Sequence, residues 1–440
     1  MVTKQTIIFF LTAPVLVAGS SISFSFWGMN GDSRLIYQAS LSGNSNNTVT
    51  ASDVISSIFN DTFQILPDPS PPRILDGSLR AEKVIAGLES PTSMAFLDHD
   101  DILILQKDNG RVRLVSNGVL QPNPIFNVAV RNDSEQGLLG VAIANLTSTT
   151  KAVFLYYTEP DGDQTKNRIY RYEWNGTGNL TGGSLILDLP GQPGPNHNGG
   201  KIAIGPDEML YAVLGDLNRD GMLQNNREGP APDDTSVIFR VEYNGNGVEN
   251  TLSGAANLSK YYAYGVRNSF GFDFDPLTGI LWDAEDGPAD YDEINVVTPG
   301  FNSGWNQVMG PLEREGILVN DLVQFQGSHY ADPVFSWRQS TGITDIEFLD
   351  STRLGERFAG NIFVGDINNG NLYFFTVNSN RTGLDLGSIA GLEDLVADSS
   401  EEVNAVTFGT GFAGITDIET GPDGYLYILT FAGDLYRLVP

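Results

Sequence analysis

From residue 79 onward the apolar residues come in short runs of β-branched, aromatic and leucine positions, separated by clusters of Gly, Pro, Asn and Asp. This alternation predicts strands, and no stretch keeps a helical period for long. The runs also stack on one another. Matching Leu103, Phe154, Leu210, Leu281, Ile362 and Leu426 gives six units, at intervals of 51, 56, 71, 81 and 64 residues. Turn formers precede several of them (Gly205-Pro206-Asp207, Asp275-Pro276, Gly421-Pro422-Asp423-Gly424). Repeated units of about four strands predict an all-β fold, a six-bladed β-propeller, whose longer intervals carry functional loops. Ala81 to Ala86 is placed to complete the last blade as an outer strand, which removes an exposed edge.

The residues before the ring have a different pattern. Gln5 to Gly31 carries no charge and follows a lone Lys4, and its most apolar part, Ile7 to Gly19, leads into the small residues Ala18 to Ser21. Residues 1–31 therefore read as a signal peptide or a membrane anchor, which leaves the rest of the chain extracytoplasmic, secreted or tethered through its N-terminus. Residues 32–78 are rich in Ser, Asn, Asp and Pro, end in Pro67-Asp68-Pro69-Ser70-Pro71-Pro72, and read as a flexible linker. The propeller is then expected over 79–440. Eight N-x-Ser/Thr sequons, at Asn46, Asn60, Asn132, Asn145, Asn175, Asn179, Asn257 and Asn380, fit an exported glycoprotein.

Composition narrows the chemistry. With 25 Lys+Arg against 54 Asp+Glu the net charge is −29, so nucleic acid is not an expected partner. The absence of cysteine excludes disulfides, thiol catalysis and Cys-ligated metals.

Two constellations remain. His197, one of three histidines, stands in a Gly/Asn-rich loop before a strand, where a neutral imidazole can serve as a general base or simply bond the backbone. Gly265-Val266-Arg267-Asn268 offers donors for an oxyanion or carbonyl. Glu285-Asp286-Gly287-Pro288, with Asp292-Glu293 beyond it, offers oxygens at the density calcium prefers. Asp216 to Gly221 begins like an EF-hand loop, but Arg227 stands at the twelfth position; only a generic calcium loop stays open there.

These motifs, together with Glu135-Gln136-Gly137-Leu138-Leu139-Gly140 and Pro299 to Trp305, occur in an order that resembles the glucose/sorbosone dehydrogenase family from about residue 79 to 440. The resemblance implies a propeller carrying pyrroloquinoline quinone (PQQ) and calcium at its mouth, and a small-molecule aldose or polyol as substrate, with an electron acceptor that the sequence does not identify. It implies His197 as catalytic base and Arg267 with Asn268 beside the quinone carbonyl. Gly287 and Pro288 would be the turn that holds calcium, and Glu135 would lie near the sugar.

The departures are equally specific. Where the enzymes have basic residues for the cofactor's carboxylates, this chain has Asn368, Asn369, Gly414 and Thr416. A non-redox carbohydrate- or protein-binding propeller is therefore the alternative reading, and a calcium-dependent hydrolase or lactonase a third.

Overall fold

The computed structural model describes residues 71–440 apart from 177, 249–251, 254–257 and 388, together with the backbone of 22–30 and 33–41. The strands Ile22–Asn30 and Ser33–Leu41 pair antiparallel within a separate compact unit, Met1–Pro71. The other residues of the signal or anchor segment and residues 32 and 42–70 of the linker, with sequons Asn46 and Asn60, lie outside the described residues, as does Asn257; the strand Ser33–Leu41 stands where the sequence reads as a flexible linker. The remaining five sequon asparagines are exposed. Among the described residues no helix is long and apolar enough to cross a membrane.

Pro72–Pro440 forms the second unit, an all-β propeller of six sheets. The first strand of each is β1 (Pro91–Phe96), β2 (Leu138–Asn145), β3 (Ile202–Ile204), β4 (Ser269–Phe274), β5 (Ile343–Phe348) and β6 (Ile415–Thr420). Leu103, Phe154, Leu210, Leu281, Ile362 and Leu426 each fall in the second strand of a different sheet. Apolar clusters join each sheet to the next: Leu103 with Val153, Phe154 with Leu210, Val213 with Phe272, Trp282 with Ile346, and Phe363 with Ile418. A sixth cluster, Leu429 with Ile104, closes the circle. Because both faces of each sheet are covered, second strands such as Leu210–Leu214 are buried at every position and read as continuous apolar runs.

The ring is fastened by an outer strand, Arg80–Ile85, paired antiparallel with Leu435–Val439 (Ile85 opposite Leu435, Arg80 opposite Val439). The propeller also begins earlier than residue 79. Arg73–Ile74 adds to the outer edge of the fifth sheet, opposite Gly409 and Thr410, and Ile74 is buried, so the linker's last residues belong to the fold.

Charged side chains tie the inner strands together. Asp417 of β6 accepts from Met94 N of β1 (2.6 Å), and Asp345 of β5 accepts from Ile418 N of β6 (2.7 Å). Lys201 Nζ, just before β3, lies 2.8 Å from Asp417 and 3.0 Å from Asp345. Burial opposes its charge, but these carboxylates outweigh burial and hold Lys201 well above its ordinary pKa.

Candidate active site

Three loops at one mouth of the ring meet on a single carboxylate. Glu135 Oε2 accepts from His197 N (2.6 Å), Asn198 N (3.3 Å) and Asn268 Nδ2 (3.1 Å), while Asn268 Oδ1 accepts from Gly199 N (3.2 Å). The knot holds His197 at φ 61°, a conformation uncommon outside glycine. Gly199 must be glycine, since a Cβ there would lie 2.6 Å from Val213 O.

The imidazole is oriented from both sides. His197 Nδ1 is 2.6 Å from Asp216 Oδ1, which also accepts from Asn218 N (2.6 Å), and Asp216 Oδ2 accepts from Trp305 Nε1 (2.7 Å). A buried carboxylate can only accept, so the proton of neutral His197 sits on Nδ1 and the lone pair on Nε2. That lone pair accepts from Arg267 Nη2 at 2.9 Å. Arg267 Nη1 donates to Asp286 O (2.7 Å), and its guanidinium carbon lies 5.5 Å from the centre of the Trp305 ring. Its backbone N–H is held by Glu285 Oε1 (2.6 Å).

Glu135, His197, Arg267, Gly287 and Pro288 line one cavity of about 520 Å³. Asn268 does not line it; its amide braces Glu135 and Gly199 from behind. Asp216 was missed as a functional residue. It is not a calcium-loop ligand, because both its oxygens are taken by His197, Asn218 and Trp305. Its only sequence signal is a Gly-Asp step at the end of an apolar strand, 19 residues from the histidine it holds.

The acidic turn is also used differently from the sequence reading. Asp292 Oδ1 accepts from Gly287 N (2.9 Å), and its Oδ2 accepts from Thr341 N (2.6 Å) and Gly342 N (2.9 Å), so this carboxylate braces the turn. Burial and Asp292 push Asp286 well above the usual carboxylate range, against the pull of Arg267. Among the described residues no group of three or more Asp, Glu or His side chains is placed to hold a metal. What suits calcium is the pair of backbone carbonyls at Gly287 and Pro288, neither of which accepts a hydrogen bond among the described residues.

Three cations line the cavity, and all are engaged. Arg267 is bound as above and Lys201 lies between Asp345 and Asp417. Lys107 Nζ donates to Asp108 Oδ1 (2.7 Å), Ser134 O (2.8 Å) and Gln136 O (3.0 Å). Asn368 and Thr416 stand in the same cavity and are neutral.

Beyond Lys201 the channel holds Asp273, Glu347 and Glu419. Burial raises Glu419 to about 8, Lys201 opposing and Asp417 reinforcing, and burial with Asp273 raises Glu347 well above its ordinary value. A carboxyl that keeps its proton longer when folded binds more protons in the native state, so stability should fall as pH rises from the unfolded carboxylate pKa, about 4.3, toward about 8. Thermal melts across that window should show a declining melting temperature, and Glu419→Gln should flatten the decline. A melting temperature that rises throughout the window would contradict the assignment.

The family profile described as Glucose / Sorbosone dehydrogenase matches residues 88–437. The aldose sugar dehydrogenase YliI of Escherichia coli is 24% identical over 375 residues, covering 80% of this chain and 91% of that protein. Among solved structures, the soluble aldose sugar dehydrogenase of E. coli in the apo form shares the fold with a TM-score of 0.64 at 22% identity, covering 82% of this chain and 99% of that one. The PQQ-bound aldose sugar dehydrogenase of Streptomyces coelicolor does so with a TM-score of 0.60 at 21% identity, covering 84% and 99%. With that profile matching 88–437, most of its length, this chain belongs to the glucose/sorbosone dehydrogenase family.

Proposed function

We propose that this protein is an extracytoplasmic dehydrogenase of an aldose or polyol, with His197 as the base that takes the proton of a substrate hydroxyl. The observation that carries the reading is the ordered series Trp305, Asp216, His197, Arg267, which fixes a lone pair on Nε2 at the wall of an open cavity. A hydroxyl that replaces Arg267 as the partner of Nε2 gives up its proton there, and Asp216 stabilises the imidazolium that forms. Arg267 is then left beside the substrate oxygen, where its charge favours the developing negative charge.

PQQ is the cofactor proposed, by analogy with the PQQ-bound relative, and calcium is proposed on the free carbonyl pair of Gly287 and Pro288. Their fit is uneven. Gly287 and Pro288 offer carbonyl oxygens suited to calcium, and Arg267 suits a quinone oxygen. The positions that should meet three carboxylates are neutral, and the acids Glu135, Asp286 and Asp417 line the same cavity. The residues present therefore do not fit the tricarboxylate as a whole. The same neutral positions favour a second reading, a ring that binds carbohydrate or protein without oxidising it.

Titration of the full chain with PQQ in millimolar calcium, followed by dye reduction with aldoses, separates the two. The dehydrogenase reading expects a rise in melting temperature with calcium, weak but saturable uptake of the quinone's visible absorption, and reduction of dye by at least one aldose. Absence of uptake and of dye reduction at the highest soluble PQQ concentration would leave the binding reading in its place.

A further inference from the structure

We infer that the buried amide pair Asn225 and Asn302 positions His197, acting on it through Trp305 and Asp216. The two side chains come from different loops, 77 residues apart, and both are buried. They face each other reciprocally: Asn225 Nδ2 donates to Asn302 Oδ1 (2.9 Å), and Asn302 Nδ2 donates to Asn225 Oδ1 (2.8 Å). Their remaining capacity is used as well. Asn225 Nδ2 also donates to Trp305 O (2.8 Å), and its Oδ1 accepts from Val323 N (3.1 Å). Asn302 Nδ2 also donates to Val323 O (3.1 Å), and its Oδ1 accepts from Gly304 N (3.0 Å).

A primary amide has two donor hydrogens and an oxygen with two lone pairs, so both side chains are filled. Turning either one over would set N–H against N–H and oxygen against oxygen. A fully satisfied buried network has one arrangement, and the groups it holds are fixed with it. Here it holds the chain just before and just after the Trp305 side chain, at Gly304 N and Trp305 O. Two backbone bonds complete the fastening: Gln224 O accepts from Asn306 N (2.8 Å), and Trp305 N donates to Gly265 O (3.0 Å). Gly265, at φ +75°, makes room for the pair, since a Cβ there would overlap Asn302 Oδ1 and lie 3.1 Å from Asn225 Nδ2. The amides therefore pack directly on the backbone two residues before Arg267, which accounts for the glycine that opens Gly265-Val266-Arg267-Asn268.

Trp305 carries that fixed position to both nitrogens of the imidazole. Its Nε1 donates to Asp216 Oδ2 (2.7 Å), and Asp216 Oδ1 meets His197 Nδ1 (2.6 Å). Its ring faces the guanidinium of Arg267, whose Nη2 meets His197 Nε2 (2.9 Å). If Trp305 shifts, the carboxylate is free to turn away from Nδ1 and the guanidinium away from Nε2, and the proton is no longer confined to Nδ1. The amide pair touches neither the imidazole nor the cavity, so it acts on the base only through this side chain. The consequence for catalysis rests on the dehydrogenase reading, whereas the tautomer of His197 does not.

Nitrogen-15 NMR of the imidazoles in the full chain, without PQQ or calcium, tests it, with the exposed His99 and His329 as internal references. Wild-type His197 is expected to carry its proton on Nδ1. Trp305→Phe keeps a ring and removes the N–H, and Asn225→Asp sets a carboxylate oxygen against Asn302 Oδ1 and Trp305 O. Each should move the tautomer ratio of His197 roughly tenfold or more toward Nε2–H, the scale of a lost hydrogen bond to a charged group. The double variant should move it no further than the larger single change, because both act along one route. Should the buried carboxylate unfold the ring, Asn225→Gly, which suits the φ of 59° there and removes the amide, reads the same link. Leu258→Ala, in the apolar core away from the site, should lower the melting temperature and leave the His197 signals as in wild type. A folded Asn225 variant with wild-type His197 signals, or a double variant whose shift is the sum of the two single shifts, overturns the inference. Dye reduction with added PQQ is read separately: its absence in wild type would count against the dehydrogenase reading and leave the tautomer result standing.

Discussion

Asp216→Asn is expected to lower sugar-dependent dye reduction, with PQQ and calcium supplied, nearly as far as His197→Gln, which should cost roughly 10²–10⁴-fold. The carboxylate of Asp216 offers two oxygens to three donors: His197 Nδ1, Asn218 N and Trp305 Nε1. An amide has one acceptor oxygen. Turned one way, it points an N–H at Nδ1 and drives the histidine's proton to Nε2, where the lone pair is needed; turned the other way, it sets an N–H against the indole N–H. In either orientation it carries no charge to stabilise the imidazolium. The protein should fold, since an isosteric amide leaves the packing unchanged. A melting temperature lowered only by the cost of one mismatched buried hydrogen bond, about 1–3 kcal/mol, beside a large drop in kcat and a displaced acid limb of the pH–rate profile, is the expected pattern. Retention of more than about a tenth of the wild-type rate would show that Asp216 is not what readies the base.

The second large effect concerns closure. Removing residues 1–71 is expected to leave the melting temperature unchanged, because the ring unit begins at Pro72. Removing residues 1–86 is expected to destabilise the ring by more than about 5 kcal/mol. Three buried aliphatic side chains, Ile74, Leu79 and Ile85, are lost with it, each worth about 1.5–3 kcal/mol, together with a five-residue ladder to Leu435–Val439 whose bonds contribute about 0.5–1.5 kcal/mol each. The strand left bare is a template for association, so the longer truncation should also aggregate on concentration. Equal denaturant midpoints for the two truncations would show that the outer strand is dispensable.

What the sequence made legible follows from the range of the interactions. The strand cores were readable because a strand buried on both faces is an uninterrupted apolar run. The closing strand was readable because its position before the first core and the absence of another partner leave it one role. His197, Arg267 and the Gly287-Pro288 turn could be named because Gly-rich loops ahead of strands mark where a ring's chemistry lies. Asp216 and Trp305 could not be assigned roles, because the bonds that give them one span 19 and 89 residues and no local spacing encodes them. Asn268 was assigned to the cofactor on its place beside Arg267, yet successive residues point in different directions, and its amide turns inward to Gly199 and Glu135. The acids after Glu285 looked like ligands because the sequence shows their density and not their hydrogen-bond partners. The same limit hid the boundary at Pro72: a two-residue strand such as Arg73–Ile74 has no period to detect.

The outer strand also sets a clock on biosynthesis. Arg80 and its neighbours leave the ribosome long before their partners, and the Arg80 side chain reaches the carbonyl of Pro440, 360 positions later. At about 5–20 residues per second the first strand waits roughly 20–70 s for its mate. Through that interval Arg80–Ile85 has no ladder partner, while the sheets between are built largely from strands that follow one another in the chain, so the last sheet is the one whose completion waits on a distant segment.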